Sequence, residues 1–166
     1  MSPKLRIGLG AFLVCLCLDL LTKHMVDTHL HYGDKKPIIE GFFYLTHFRN
    51  PGAAFGLFAT APAAMRLTFF IGISVLAIGV VLSFFRRLAP GDRLSALALG
   101  MILGGALGNL VDRIRYGEVI DFLHFRLWKG YSWPDFNFAD SFIVVGVGLL
   151  ILELLATEGD TSAPAS

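Results

Sequence analysis

Asp121 and Asp140 are the residues of this chain from which chemistry could be built. They flank an irregular, aromatic-rich stretch, the first after Gly117-Glu118-Val119-Ile120 and the second closing Phe136-Asn137-Phe138-Ala139-Asp140. Two carboxyls held together beside a low-dielectric wall cannot both ionise cheaply, so one keeps a proton that the pair shares. The ionised member can take a proton from water while the protonated member donates to a carbonyl oxygen, which is hydrolysis without a metal or a covalent intermediate. The sequence leaves open which acid keeps the proton: a helix N-terminus favours an ionised Asp140, and burial against apolar helices opposes it.

Each polar residue in the neighbourhood also has a plainer role. Asp19 and Lys23 form an i, i+4 pair with the acid first. Asn109, Asp112 and Arg113 could be a local ion pair and cap at a helix end, Asn137 an N-cap with Asp140 at N3, and Asp121 merely solvated. Histidines 24, 29, 31, 47 and 124, with Asp121 and His124 three apart, raise a metal site, but no His-Glu-x-x-His motif supports it and we expect neither metal nor cofactor. Ser141 beside Asp140 lacks a nucleophile elbow, and Cys15 and Cys17 point in different directions on a helix.

The elements that must position these residues are membrane spans. Of 166 residues, 55% are hydrophobic and 16% charged, and the mean hydropathy of +0.66 argues against a soluble domain. Fourteen Lys and Arg against 13 Asp and Glu leave no basic field for nucleic acid. Lys4 and Arg6 before an apolar run resemble a signal peptide, but no small-x-small cleavage site follows, so the run reads as a retained first span. We expect a single integral-membrane domain over 1–166, all-α with four spans at about 5–22, 65–85, 94–112 and 138–156, and a disordered tail at 157–166. Between the first two spans lies a polar cap with one or two short strands within residues 38–48, then an Asn50-Pro51-Gly52 turn in which Gly52 accepts positive φ. Gly100, Gly104 and Gly108, four apart, offer a face for close helix approach.

With four spans, parity puts Asp19, Lys23, Asn50, Asn109, Asp112, Arg113, Asp121, Asn137 and Asp140 on one side of the membrane. Weighting the short hairpin with Arg86, Arg87 and Arg93 and the first helix most, both termini are cytoplasmic and the polar group extracytoplasmic. A transporter or channel subunit, in which Asp19, Asp112 and Asp140 relay protons, predicts polar residues spread through the bilayer depth; here Glu153 stands almost alone at the far end. A structural assembly protein rests on the glycine face alone.

In order and spacing, five motifs resemble the lipoprotein signal peptidase (signal peptidase II) family: Asp19-Leu20-Leu21-Thr22-Lys23, Asn50-Pro51-Gly52-Ala53-Ala54-Phe55, Gly104-Gly105-Ala106-Leu107-Gly108-Asn109-Leu110-Val111-Asp112-Arg113, Val119-Ile120-Asp121-Phe122 and Phe136-Asn137-Phe138-Ala139-Asp140-Ser141. The resemblance implies that Asp121 and Asp140 are the catalytic dyad and that Asp19, Lys23, Asn50, Gly52, Asn109, Asp112, Arg113 and Asn137 line or support the site. It implies a four-helix membrane fold with a small β-rich cradle and a short periplasmic helix. It also implies an aspartyl endopeptidase of the bacterial inner membrane, which acts on diacylglyceryl-modified prolipoproteins, cuts before the lipidated Cys, works beside membrane lipid and is a target of globomycin. We expect a monomer. The visible departure is Pro51, where the family carries a more flexible residue between the Asn and the Gly.

Overall fold

The computed structural model describes residues 2–52, 61–128 and 130–161, the side chains of 157–161 excepted. The motif residues Ala53, Ala54 and Phe55 and the last part of the expected tail, 162–166, lie outside the described residues. Four helices are long and apolar enough to cross a membrane: α1 (Pro3–His29), α2 (Ala63–Arg87), α3 (Arg93–Tyr116) and α4 (Phe138–Thr161). Their outward faces stay apolar and exposed, with Val14, Leu76, Val144 and Leu152 as examples, as lipid contact requires.

α1 begins with Pro at its first turn and runs past the expected end near residue 22 to His29. At 1.5 Å per residue its 27 residues span about 40 Å, more than the roughly 30 Å of hydrocarbon, so its last turns project as a post. On that post Val26 and Leu30 meet Ile120 and Phe122, and this small apolar cluster seats the extramembrane sheet on the bundle. α4 likewise outruns its expected limit at 156. No proline interrupts it before Pro164, and the helix continues through Thr161 where a disordered tail was expected.

α3 is the central helix and packs against α1, α2 and α4, with Ala96 and Ala98 fully buried. The glycine face is used as its spacing suggests. A Cβ on Gly104 would lie 2.8 Å from the Phe12 carbonyl of α1, and one on Gly108 would collide with the Asp19 carboxylate. Close approach thus brings the acid of α1 directly against α3. α3 ends at Gly117, whose φ of 75° allows its N–H to reach back to the Arg113 carbonyl at 3.0 Å.

The cap is a three-stranded antiparallel sheet in the order β1 (Lys35–Ile39), β2 (Phe43–Asn50), β3 (Val119–Phe125). β2 is the strand expected within 38–48, extended to Asn50, whereas β1 begins earlier, at Lys35, and shares only Ile38 and Ile39 with that run. β3 was read as irregular chain; Val119, Ile120, Phe122 and Phe125 give it strand propensity, and pairing Phe43 with Phe125 and Leu45 with Leu123 locks it in register. A register shift between Leu45 and Phe48 precedes the Phe48–Asp121 pair and re-aims the end of β2. Among the described residues no short helix lies between the spans.

Candidate active site

Ten polar or glycine positions singled out in the sequence meet where α1, α3, α4, β2 and β3 converge, and they fall into two groups. The first is built round Lys23. Its ammonium forms ion pairs with Asp19 Oδ2 at 2.8 Å and Asp112 Oδ2 at 3.0 Å and donates to Asn109 Oδ1 at 2.8 Å. All four residues are buried. The acids also receive backbone donors, Ala139 N–H to Asp19 Oδ1 at 2.8 Å and Ile120 N–H to Asp112 Oδ2 at 3.2 Å. This network therefore joins α1 to α3, to the first turn of α4 and to β3, and it supplies the partners that buried charges need.

The second group contains Asp121 and Asp140. Asn137 joins them. Its Nδ2 donates to Asp121 Oδ1 at 2.7 Å, while its Oδ1 accepts the Asp140 N–H at 3.0 Å. Its own N–H points to Asp140 Oδ2 at 3.4 Å, which completes the reciprocal cap at the start of α4 that the Asn137/Asp140 spacing suggests. Asn109 connects the two groups: its Oδ1 receives Lys23 and Asn137, and its Nδ2 donates to Asp140 Oδ1 at 2.8 Å. The cap and the meeting of the acids are thus one arrangement.

Asn50 reaches the same carboxyl from β2, donating from Nδ2 to Asp121 Oδ2 at 2.9 Å while its Oδ1 accepts the Gly52 N–H at 2.9 Å. Gly52 has φ of 94°, as the turn requires, and a Cβ there would strike Phe70. Arg113 lies alongside, donating to the Asn109 carbonyl at 3.3 Å with its guanidinium 5.4 Å from the Phe70 ring centre. Among the described residues, no cation lies within 4.0 Å of either Asp121 or Asp140.

The two acids differ in environment. Asp121 is 1% exposed, against a half-buried Asp140. Burial pushes the Asp121 carboxyl up to about 7; the Asp140 charge pushes the same way, while the Asn50 and Asn137 hydrogen bonds and the Lys23 charge oppose it. A buried acid beside a more accessible one is an arrangement suited to hold one proton and to transfer it near neutral pH.

The histidines serve elsewhere. His124 lies between Asp135 and Lys35, at 2.5 and 2.8 Å, and His47 Nδ1 meets the Leu30 carbonyl at 2.9 Å. Sequence reasoning missed the backbone donors of Ala139 and Ile120, since nothing in a residue's identity signals a main-chain contact.

A model of the family described as signal peptidase (SPase) II matches residues 11–156. A lipoprotein signal peptidase of Geobacter sulfurreducens is 47% identical over 95% of this chain and 97% of its own length. Another, from Syntrophus aciditrophicus, is 42% identical over 97% of this chain and 99% of its own. Among solved structures, a bacterial membrane enzyme determined by the in meso method at 2.3 Å resolution superposes with a TM-score of 0.83, at 31% identity, over 96% of this chain and 93% of that one.

Proposed function

Because the chain belongs to the signal peptidase II family, and is therefore a multi-pass membrane protease, we propose that it is an aspartic endopeptidase that removes signal peptides from diacylglyceryl-modified prolipoproteins, cutting before the lipidated Cys. The observation that carries this reading is the Asn137 bridge, which holds a buried and a half-buried carboxyl on the same side chain. Asp121 is the acid and Asp140 the base. Burial, which pushes the Asp121 carboxyl up to about 7, suits it to hold the proton, and Asp140 lies in the first turn of α4, at the positive end of that helix.

In the forward step Asp140 takes a proton from water, the resulting hydroxide adds to the scissile carbonyl carbon, and Asp121 gives its proton to the carbonyl oxygen. The tetrahedral diol then collapses. Asp121 takes the proton of one diol hydroxyl as the new carboxyl carbonyl forms, the C–N bond breaks, and the proton held by Asp140 passes to the leaving nitrogen. Asn137 and Asn50 keep Asp121 oriented throughout, and Arg113 offers guanidinium donors to the peptide chain or the oxyanion.

The acyl chains of the substrate stay in lipid along the exposed apolar helix faces, so anchor affinity comes from burying hydrocarbon and only the peptide enters the polar site. In this reading the enzyme is a monomer of the cytoplasmic membrane, with both termini cytoplasmic, the site toward the outer side, and globomycin-type peptides as inhibitors. The test is incubation of the purified protein with a diacylglyceryl-modified precursor, with and without globomycin. Release of the signal peptide, blocked by globomycin and absent for the unlipidated precursor, is expected; no cleavage, or cleavage indifferent to the lipid, would overturn the assignment.

A further inference from the structure

Asn50 is the last residue of β2, and its hold on Asp121 depends on where that strand end sits. The ladder alone fixes it weakly. β1 covers β2 only from Phe43 to Thr46, and the 31–34 turn reaches no further than His47, whose N–H and C=O pair with Asp34 and Gly33. Beyond His47 the strand pairs with β3 on one side and, among the described residues, with no strand on the other, and Pro51 supplies no N–H to prolong the pairing.

Arg49 forms an ion pair through Nη2 with Asp27 of α1, donates from Nε to His47 Nε2 at 3.3 Å, and lays its guanidinium 4.5 Å from the ring centre of Tyr116, the last residue of α3. His47 is held for this role: its Nδ1 donates to the Leu30 carbonyl, leaving Nε2 as the acceptor for Arg49. Arg115 flanks the same ring at 5.1 Å. One planar side chain, adjacent to Asn50, is thus tied to two of the helices that build the site.

We propose that Asp27, Arg49 and Tyr116 form a clamp that positions Asn50 against Asp121 and so governs the carboxyl from which the reaction's proton comes. The inference rests on the reading of Asp121 as the acid of the catalytic pair. Arg49 and Asp27 are positioning residues, bonded to each other and not to Asp121 or Asp140. Their effect reaches Asp121 through the single Asn50 hydrogen bond, against a background set by Asp140 from α4, Lys23 from α1, Arg113 from α3 and Asn137.

The test is a titration of the Asp121 carboxyl carbon by NMR in detergent-solubilised full-length protein without substrate, its signal assigned by its loss in Asp121→Asn. Asn50→Ala removes a donor that stabilises the ionised form, and its midpoint is expected to rise by about one pH unit, a tenfold change in proton affinity. Arg49→Lys, which loses the planar fork and the stacking, and Asp27→Asn are expected to give most of that rise. Tyr116→Leu should follow them, whereas the conservative Tyr116→Phe, which keeps the ring, should retain the wild-type midpoint. On an Asn50→Ala background Arg49→Lys should add nothing. In each single variant the alkaline limb of kcat/KM moves by the same amount as that variant's own midpoint. An unchanged midpoint in folded Arg49→Lys or Tyr116→Leu, or an undiminished Arg49→Lys shift without Asn50, would overturn the clamp. Full activity of Asp121→Asn would instead overturn the catalytic pair and leave the titration result standing.

Discussion

The two groups of acids at the polar end of the bundle share an asparagine and differ in what balances them. Asp19 and Asp112 are closed by Lys23, which forms an ion pair with each, and both acids receive backbone donors. Asp121 and Asp140 have asparagines where the first group has a lysine. A buried charge whose partners are all protein groups resists change, whereas a carboxyl held by neutral amides can gain or lose a proton without leaving a counter-charge stranded. In the proposed mechanism the closed group serves position and the open pair turnover, and substitutions should separate these roles.

The largest effect falls on the open pair. Asp121→Asn and Asp140→Asn each remove a proton donor or acceptor, and cleavage of a lipidated precursor should drop by about 10³-fold or more with the far-ultraviolet circular dichroism unchanged. Full activity in either variant would break the division proposed above. Lys23→Met should show the opposite profile. It strands two buried carboxylates, which costs about 3–5 kcal/mol, so thermal unfolding in detergent should begin far below that of the wild type. Activity per folded molecule should fall much less than in the Asp121 variant.

Asn137→Ala probes the seam between the groups. It removes the bridge to Asp121 and the cap on Asp140 together, and a cap alone contributes about 1 kcal/mol to stability. We expect a modest loss of thermal stability and a fall in kcat of about 10²-fold with little change in KM, since the residue orders the acids rather than the substrate. A variant whose loss lay wholly in KM would place Asn137 on the peptide instead.

The sequence announces the closed group more fully than the open one. Asp19 and Lys23 share a helix face by spacing alone, the glycines of α3 state that another helix comes close, and the Asn137/Asp140 spacing declares a cap. The four spans follow from hydropathy because lipid leaves the backbone few alternatives. What could not be read is β3 and its consequence. Local spacing left a merely solvated Asp121 open, and its burial follows from the pairing of β2 with β3 and from the docking of that sheet on Val26 and Leu30. Those Val and Leu side chains lie beyond the length needed to cross a membrane, so a span-length argument ends α1 too soon. Arg49 registered only as one more positive charge, because its partners come from α1 and α3 and no local spacing links them.

The smallest effect concerns stability and pH, and it separates the groups without any substrate. Folding raises the Asp121 carboxyl from its ordinary value of 3.8 to about 7, chiefly because burial penalises the charge. The folded protein therefore binds this proton more tightly than the unfolded chain does. Its contribution to stability is fully present below about pH 4, and declines as pH rises through 7 and the buried carboxyl must ionise. In wild-type protein the thermal midpoint should fall by a few degrees between pH 5 and pH 8, through this group. In Asp121→Asn, with no proton to lose there, that fall should be shallower, whatever the variant's stability at any one pH. Identical slopes in the two proteins would mean that Asp121 ionises as freely inside the fold as outside it, and the contrast between an open and a closed pair would then have to rest on geometry alone.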